Sequence, residues 1–118
     1  MSLMMRATEE FIRAAWLLCR ALGLTIGRAD MGLHALARDC MLSAGGLHGP
    51  THSIVSAISV AASALRAEPT DVPALIHAAH RLRWAAENID NEVAAAVKDV
   101  IDAIHDAITE ARSNGRQK

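Results

Sequence analysis

The stretch from Asp71 to Ala111 constrains the fold more than any other part of the chain. It contains no glycine, and its one proline, Pro73, falls in the opening turn, where a missing N–H leaves no hydrogen bond unmade. Leu75, Ala79, Leu82, Ala86 and Ile89 step by four, three, four and three residues. After a polar interruption, Val93, Val97, Val100, Ile104, Ala107 and Ala111 resume the same stepping. A seam repeating about every 3.5 residues belongs to helices packed at a shallow angle. Such an edge has to be covered by other helices, so the expected fold is all-α.

The rest of the chain supplies them. Thr8, Glu9 and Glu10 read as a helix start, with negative charge at the positive end of the dipole. That helix runs to about Leu22 on a stripe of Ile12, Ala15, Trp16, Cys19 and Leu22, widened by Phe11 and Leu18. Gly23 is placed to stop it in a left-handed turn, with Leu24 folding back. Asp30 is the expected cap of a second helix, from Met31 to Ala44, facing inward through Leu33, Leu36, Ala37, Cys40 and Met41. Gly45-Gly46 ends it, and Leu47-His48-Gly49-Pro50 reverses the chain.

Thr51 or Ser53 caps a third helix, which continues to about Ala67. Ile54, Ile58, Ala61 and Leu65 form one face, and Ser56, Ser59 and Ser63 a second. Serine hydroxyls there are expected to bond back to carbonyls one turn earlier. Glu68-Pro69-Thr70 breaks the chain, and Thr70 or Asp71 caps the fourth helix. Asn88, Asp90 and Asn91 favour caps over helix interiors, which predicts a kink or break between helices of 72–87 and 91–112. The expected architecture is an antiparallel bundle of four to five helices in a single domain, 1–118, frayed at 1–6 and 113–118.

Composition narrows the function. The 118 residues are 52% hydrophobic but only 3% aromatic. A core rich in alanine packs closely while each contact buries little area, so self-association would add area that the core lacks. The net charge of −1 comes from acidic and basic residues interleaved along the chain, which argues against a grip on nucleic-acid phosphates. Cys19 and Cys40 lack CxxC spacing and lie in apolar helical patterns; the plain reading is buried free thiols in a reducing compartment. Ile54 to Leu65 is the least charged run and is short of the roughly 20 residues that span a bilayer. No export signal is evident, and a cytoplasmic location is expected.

Six histidines are the main chemical resource. His77 and His80 share one helix edge, His48 and His52 flank a turn, and His34 and His105 stand alone. Around His80 the sequence runs Ala78-Ala79-His80-Arg81-Leu82-Arg83-Trp84. An alanine before the histidine, Leu82 at plus two and Arg83 at plus three resemble the histidine-containing phosphotransfer domain, an all-helical bundle. The resemblance extends over about residues 54–108. It implies that His80 accepts a phosphoryl group from a partner's aspartate, that Arg83 steadies the new charge, and that His77 lies one turn back on the same side. The family carries glycine at plus four, where Trp84 stands here. The plainer reading of His80 is an exposed helix histidine beside a tryptophan that caps the core edge or an interface.

Two looser sets could hold a metal ion: His77 and His80 with Glu87, or Cys40 with His48 and His52. Neither has a recognised zinc spacing. Asp102, His105 and Asp106 lie within one helical turn, an acid–base arrangement that is far more often a solvated face. Serine hydrolase, nucleotide-loop and dinucleotide motifs are absent, so no cofactor is expected and an enzyme is the less favoured class. The favoured function is a small helical interaction or regulatory module that pairs with itself and with another protein. Trp16, Trp84, Ile101 and Ile108 are the expected interface residues, because the 93–97–100–104 seam already fills the core side. Phosphotransfer through His80 is the alternative, and a metal-binding bundle the third.

Overall fold

A computed structural model describes residues 3–26 and 32–116. Five helices account for most of them: α1 (Leu3–Ala21), α2 (Leu33–Ala44), α3 (Gly49–Arg66), α4 (Val72–Glu87) and α5 (Asn91–Arg116). No strand occurs among the described residues.

Local chemistry sets the boundaries. α1 ends in a left-handed Gly23, φ 78°; Leu24 N–H donates to the Cys19 carbonyl and Gly23 N–H to the Arg20 carbonyl, both at 2.9 Å. This pair of reversed bonds satisfies carbonyls that the helix leaves free, and Leu24 packs back on the core. Of the two expected caps, Thr70 and Asp71, it is Asp71 that caps α4, its Oδ1 accepting from Ala74 N–H at 3.1 Å. The helix does break at Asn88. The Asn88 side-chain amide donates to the Trp84 carbonyl at 2.7 Å, and Ala94 N–H opens α5 by donating to the Asp90 carbonyl at 2.8 Å.

Three expected starts move. α1 begins at Leu3 rather than at Thr8, and Ala7 is buried, extending the stripe Ala7, Phe11, Ala15 by a full turn. α3 begins at Gly49, before Thr51, because Pro50 fits the first turn of a helix as well as it fits a loop. Gly49 has φ 61°, a backbone that favours glycine. α2 begins after Gly32, whereas the expected cap Asp30 lies outside the described residues. At the other end α5 runs to Arg116, past the expected stop near 112; a helix already formed adds residues at little cost.

α2, α3, α4 and α5 pack as an up–down series in which each helix lies antiparallel to the next. α1 lies along α5: Arg6, Ala7 and Glu10 share a groove with Asp106, Thr109 and Glu110, while Leu17 shares one with Ala96 and Asp99. α1 is therefore antiparallel to α5 and runs in the same sense as α2. α1 and α2 touch only slightly; Cys19 of α1 and Cys40 of α2 are both free and buried.

α3 sits between α2 and α4 and buries half its length: Ile54, Val55, Ala57, Ile58, Ser59, Ala61, Ala62, Ala64 and Leu65. Ser59 departs from expectation. Its hydroxyl donates to the Ala37 carbonyl of α2 at 2.9 Å instead of to its own helix, because α2 comes close enough to offer an acceptor. Opposite α3, Leu75 and Leu82 of α4 and Val97, Val100 and Ile104 of α5 are fully buried, so the seam faces inward as read.

Asp71→Ala removes the cap of α4 and should lower unfolding stability by about 1 kcal/mol. Urea denaturation followed by circular dichroism checks this; an unchanged midpoint would mean that solvent caps the helix equally well.

Candidate functional site

Every histidine is exposed, on the outside of an apolar interior. α4 presents His77, His80, Arg83, Trp84 and Glu87 to solvent, because Leu75, Ala78, Ala79, Leu82 and Ala85 occupy its inward face. Among the described residues no hydrogen bond occupies the His80 ring. Arg83, one turn further on, reaches across to α5, where its Nη2 donates to His105 Nε2 at 3.1 Å. That bond requires the neutral His105 tautomer with its proton on Nδ1. His105 therefore takes its partner from α4, and neither Asp102 nor Asp106 bonds to it among the described residues.

The metal sets do not assemble. No group of three or more His, Cys, Asp or Glu side chains among the described residues could hold a metal ion. Cys40 is buried. His52 is engaged elsewhere: its Nδ1 lies 2.9 Å from the Ala44 carbonyl and donates to it, tying the start of α3 to the end of α2.

The four expected interface residues divide. Trp84 is half exposed, at 50%. Trp16 is half buried, with the Arg20 guanidinium stacked 4.9 Å from its ring centre. Ile101 and Ile108 are corrections: both are core residues, 7% and 8% exposed. α5 is covered on two sides, by α4 and by α1, so its apolar stripe is wider than a single seam.

The exposed apolar surface lies elsewhere. Leu42 is 75% exposed, Met41 68% and Leu17 51%. The helical pattern assigns Met41 to the inward face of α2, but Leu36, Ala37, Cys40 and Ala44 fill that face. A signal of this is present in the sequence. Met41 and Leu42, like Leu17 and Leu18, are consecutive, and neighbours on a helix point about 100° apart. A narrow stripe cannot hold both members of such a pair.

Met41 also walls a shallow groove of about 280 Å³ above α3, with Ser59, Val60, Ser63 and Ala64 as its floor and Ala74 of α4 opposite. Small residues on the floor leave the α3 backbone close to the surface. No helix among the described residues is long and apolar enough to cross a membrane. Comparison of the chain with protein-family models, curated proteins and solved structures found no match.

Proposed function

We propose that this protein is a helical binding module that pairs with a second copy of itself through the outer face of α2, and that a further protein partner uses the same kind of apolar contact. The observation that carries the reading is the exposure of Met41 and Leu42 side by side. Two large apolar side chains held in water on a helix gain free energy when covered, and the open groove beside Met41 offers a place for a partner helix. Methionine suits such a surface because its unbranched chain adapts to different partners. Trp84 is a second anchor, on the outer face of α4.

Light scattering over a concentration series tests self-pairing. The wild-type mass should rise from monomer towards dimer with concentration. Met41→Gln with Leu42→Gln should stay monomeric, since glutamine keeps helix propensity while removing the apolar face. A wild-type protein that is monomeric throughout would overturn the self-association part of the reading.

Phosphotransfer remains the second reading, supported by one specific observation: His80 is exposed, with Arg83 one turn away. In it a nitrogen of the imidazole attacks the phosphorus of a partner's aspartyl phosphate. An N–P bond forms, the acyl-phosphate P–O bond breaks and the carboxylate leaves. Arg83 would have to release His105 to reach the new charge, and Trp84 borders the approach. Incubation with acetyl phosphate or a phosphorylated receiver domain should then give an acid-labile label that His80→Gln abolishes. Label retained in that variant would remove His80 from the chemistry.

A further inference from the structure

Charges that are interleaved along the sequence are sorted in space around the C-terminal half of α5. Asp106 and Glu110 line a groove with Arg6 and Glu10 of α1. On the edge towards α4, His105, Thr109 and Arg112 line a second groove, of about 310 Å³, with Ile76 of α4 and the buried Ile108. α4 adds no acid to it, having none from Val72 to Ala86. Among the described residues neither Arg83 nor Arg112 makes an ion pair, although Glu87 lies one turn from Arg83 and Asp102 one turn from His105.

We infer that the groove between α4 and α5 binds the phosphate of a small phosphate monoester, whose apolar body rests on Ile76 and Ile108. The bond between Arg83 and His105 prepares the site. Nη2 of Arg83 donates to Nε2 of His105 at 3.1 Å. A carboxylate in that place would fix the guanidinium and offset its charge. A neutral imidazole fixes it and leaves the charge whole. A guanidinium has several N–H donors, so one bond to His105 leaves the others for a ligand. Arg83 is thus held at one end of the groove. Arg112 stands at the other, about 10 Å along the α5 axis from His105 at the helical rise per residue.

Phosphate is the anion class that suits this layout. A carboxylate offers two coplanar oxygens, which a single guanidinium fills. The terminal oxygens of a phosphate monoester point in three directions and can accept from both helices at once: from Arg83 of α4, and from the Thr109 hydroxyl and Arg112 of α5. The groove runs along only two turns of α5, a length that matches a small molecule. Met41 and Leu42 of α2 take no part in it, and neither does the His80 ring. Binding here is therefore independent of self-pairing and of phosphotransfer.

Phenyl phosphate is titrated into the isotope-labelled full-length protein at pH 8, where the phosphate is a dianion, and backbone amides are followed by NMR. The expected result is a saturable shift at residues 76–83 and 105–112. Arg83→Gln and Arg112→Gln should each weaken binding about tenfold or more. Both arginines are exposed, so these variants keep the fold. His105 acts as a positioning residue: His105→Gln, whose amide oxygen also accepts from Arg83, should keep most of the affinity, and His105→Glu, which offsets the Arg83 charge, should lose it. His80→Gln should bind as the wild type does. Shifts that never saturate, or arginine variants that bind like the wild type, would overturn the site. Benzoate bound as tightly as phenyl phosphate would overturn its assignment to phosphate, and loss of binding in His80→Gln would move the ligand out of the groove.

Discussion

Close approach of neighbouring helices to α3 is the constraint on which the rest of the bundle depends. The buried positions of α3 include Ala57, Ser59, Ala61, Ala62 and Ala64, whose side chains hold α2 and α4 at short range on either side. Each contributes little buried area, so stability is spread over many small contacts instead of a few aromatic anchors. Phe11 is the large aromatic exception, fully buried on α1. Proximity also explains the bond from Ser59 to the Ala37 carbonyl, since a hydroxyl on so short a side chain reaches a neighbouring backbone only where two helices nearly touch. The larger residues Leu75, Leu82, Val97, Val100 and Ile104 fill the core on the side of α4 and α5.

Much of this is legible in the sequence, for local reasons. Gly23 before Leu24, Asp71 before Pro73, and the Asn88–Asp90 interruption each determine a helix end through backbone and side-chain hydrogen bonds within a few residues. The 3.5-residue seam from Leu75 onward marks the inward face of α4 and α5. The features that local patterns miss depend on contacts distant in sequence. Whether Ile101 and Ile108 face out depends on α1 lying along α5, and nothing near residue 101 encodes that. Met41 and Leu42 compete for one inward position, and the placement of α3 decides it by favouring Cys40 and Ala44. The parallel run of α1 and α2 is a product of the whole topology.

The candidate sites divide along the same line. His80, Arg83 and Trp84 stand out through a local motif, and the helix register alone puts them in solvent. The partnership of Arg83 with His105 has no such signature, because it joins two helices through side chains whose own neighbourhoods suggest other partners. Among the described residues the polar groups of the interior are few: Ser59, which is satisfied, and the two thiols. The exterior, by contrast, carries large apolar side chains at Leu17, Met41, Leu42 and Trp84.

The spacing of the bundle is set, on this view, by the small side chains of α3. Ala61→Leu, measured against the exposed control Ala95→Leu by urea unfolding, tests this most directly, because Ala61 is fully buried and Ala95 faces solvent. Leucine at 61 is predicted to destabilise the protein by about 1–3 kcal/mol, as overpacking of a filled core does, while leucine at 95 changes little. A protein that accepts leucine at 61 with no loss, or gains stability from it, would show that α3 is not packed at the limit set by its alanines.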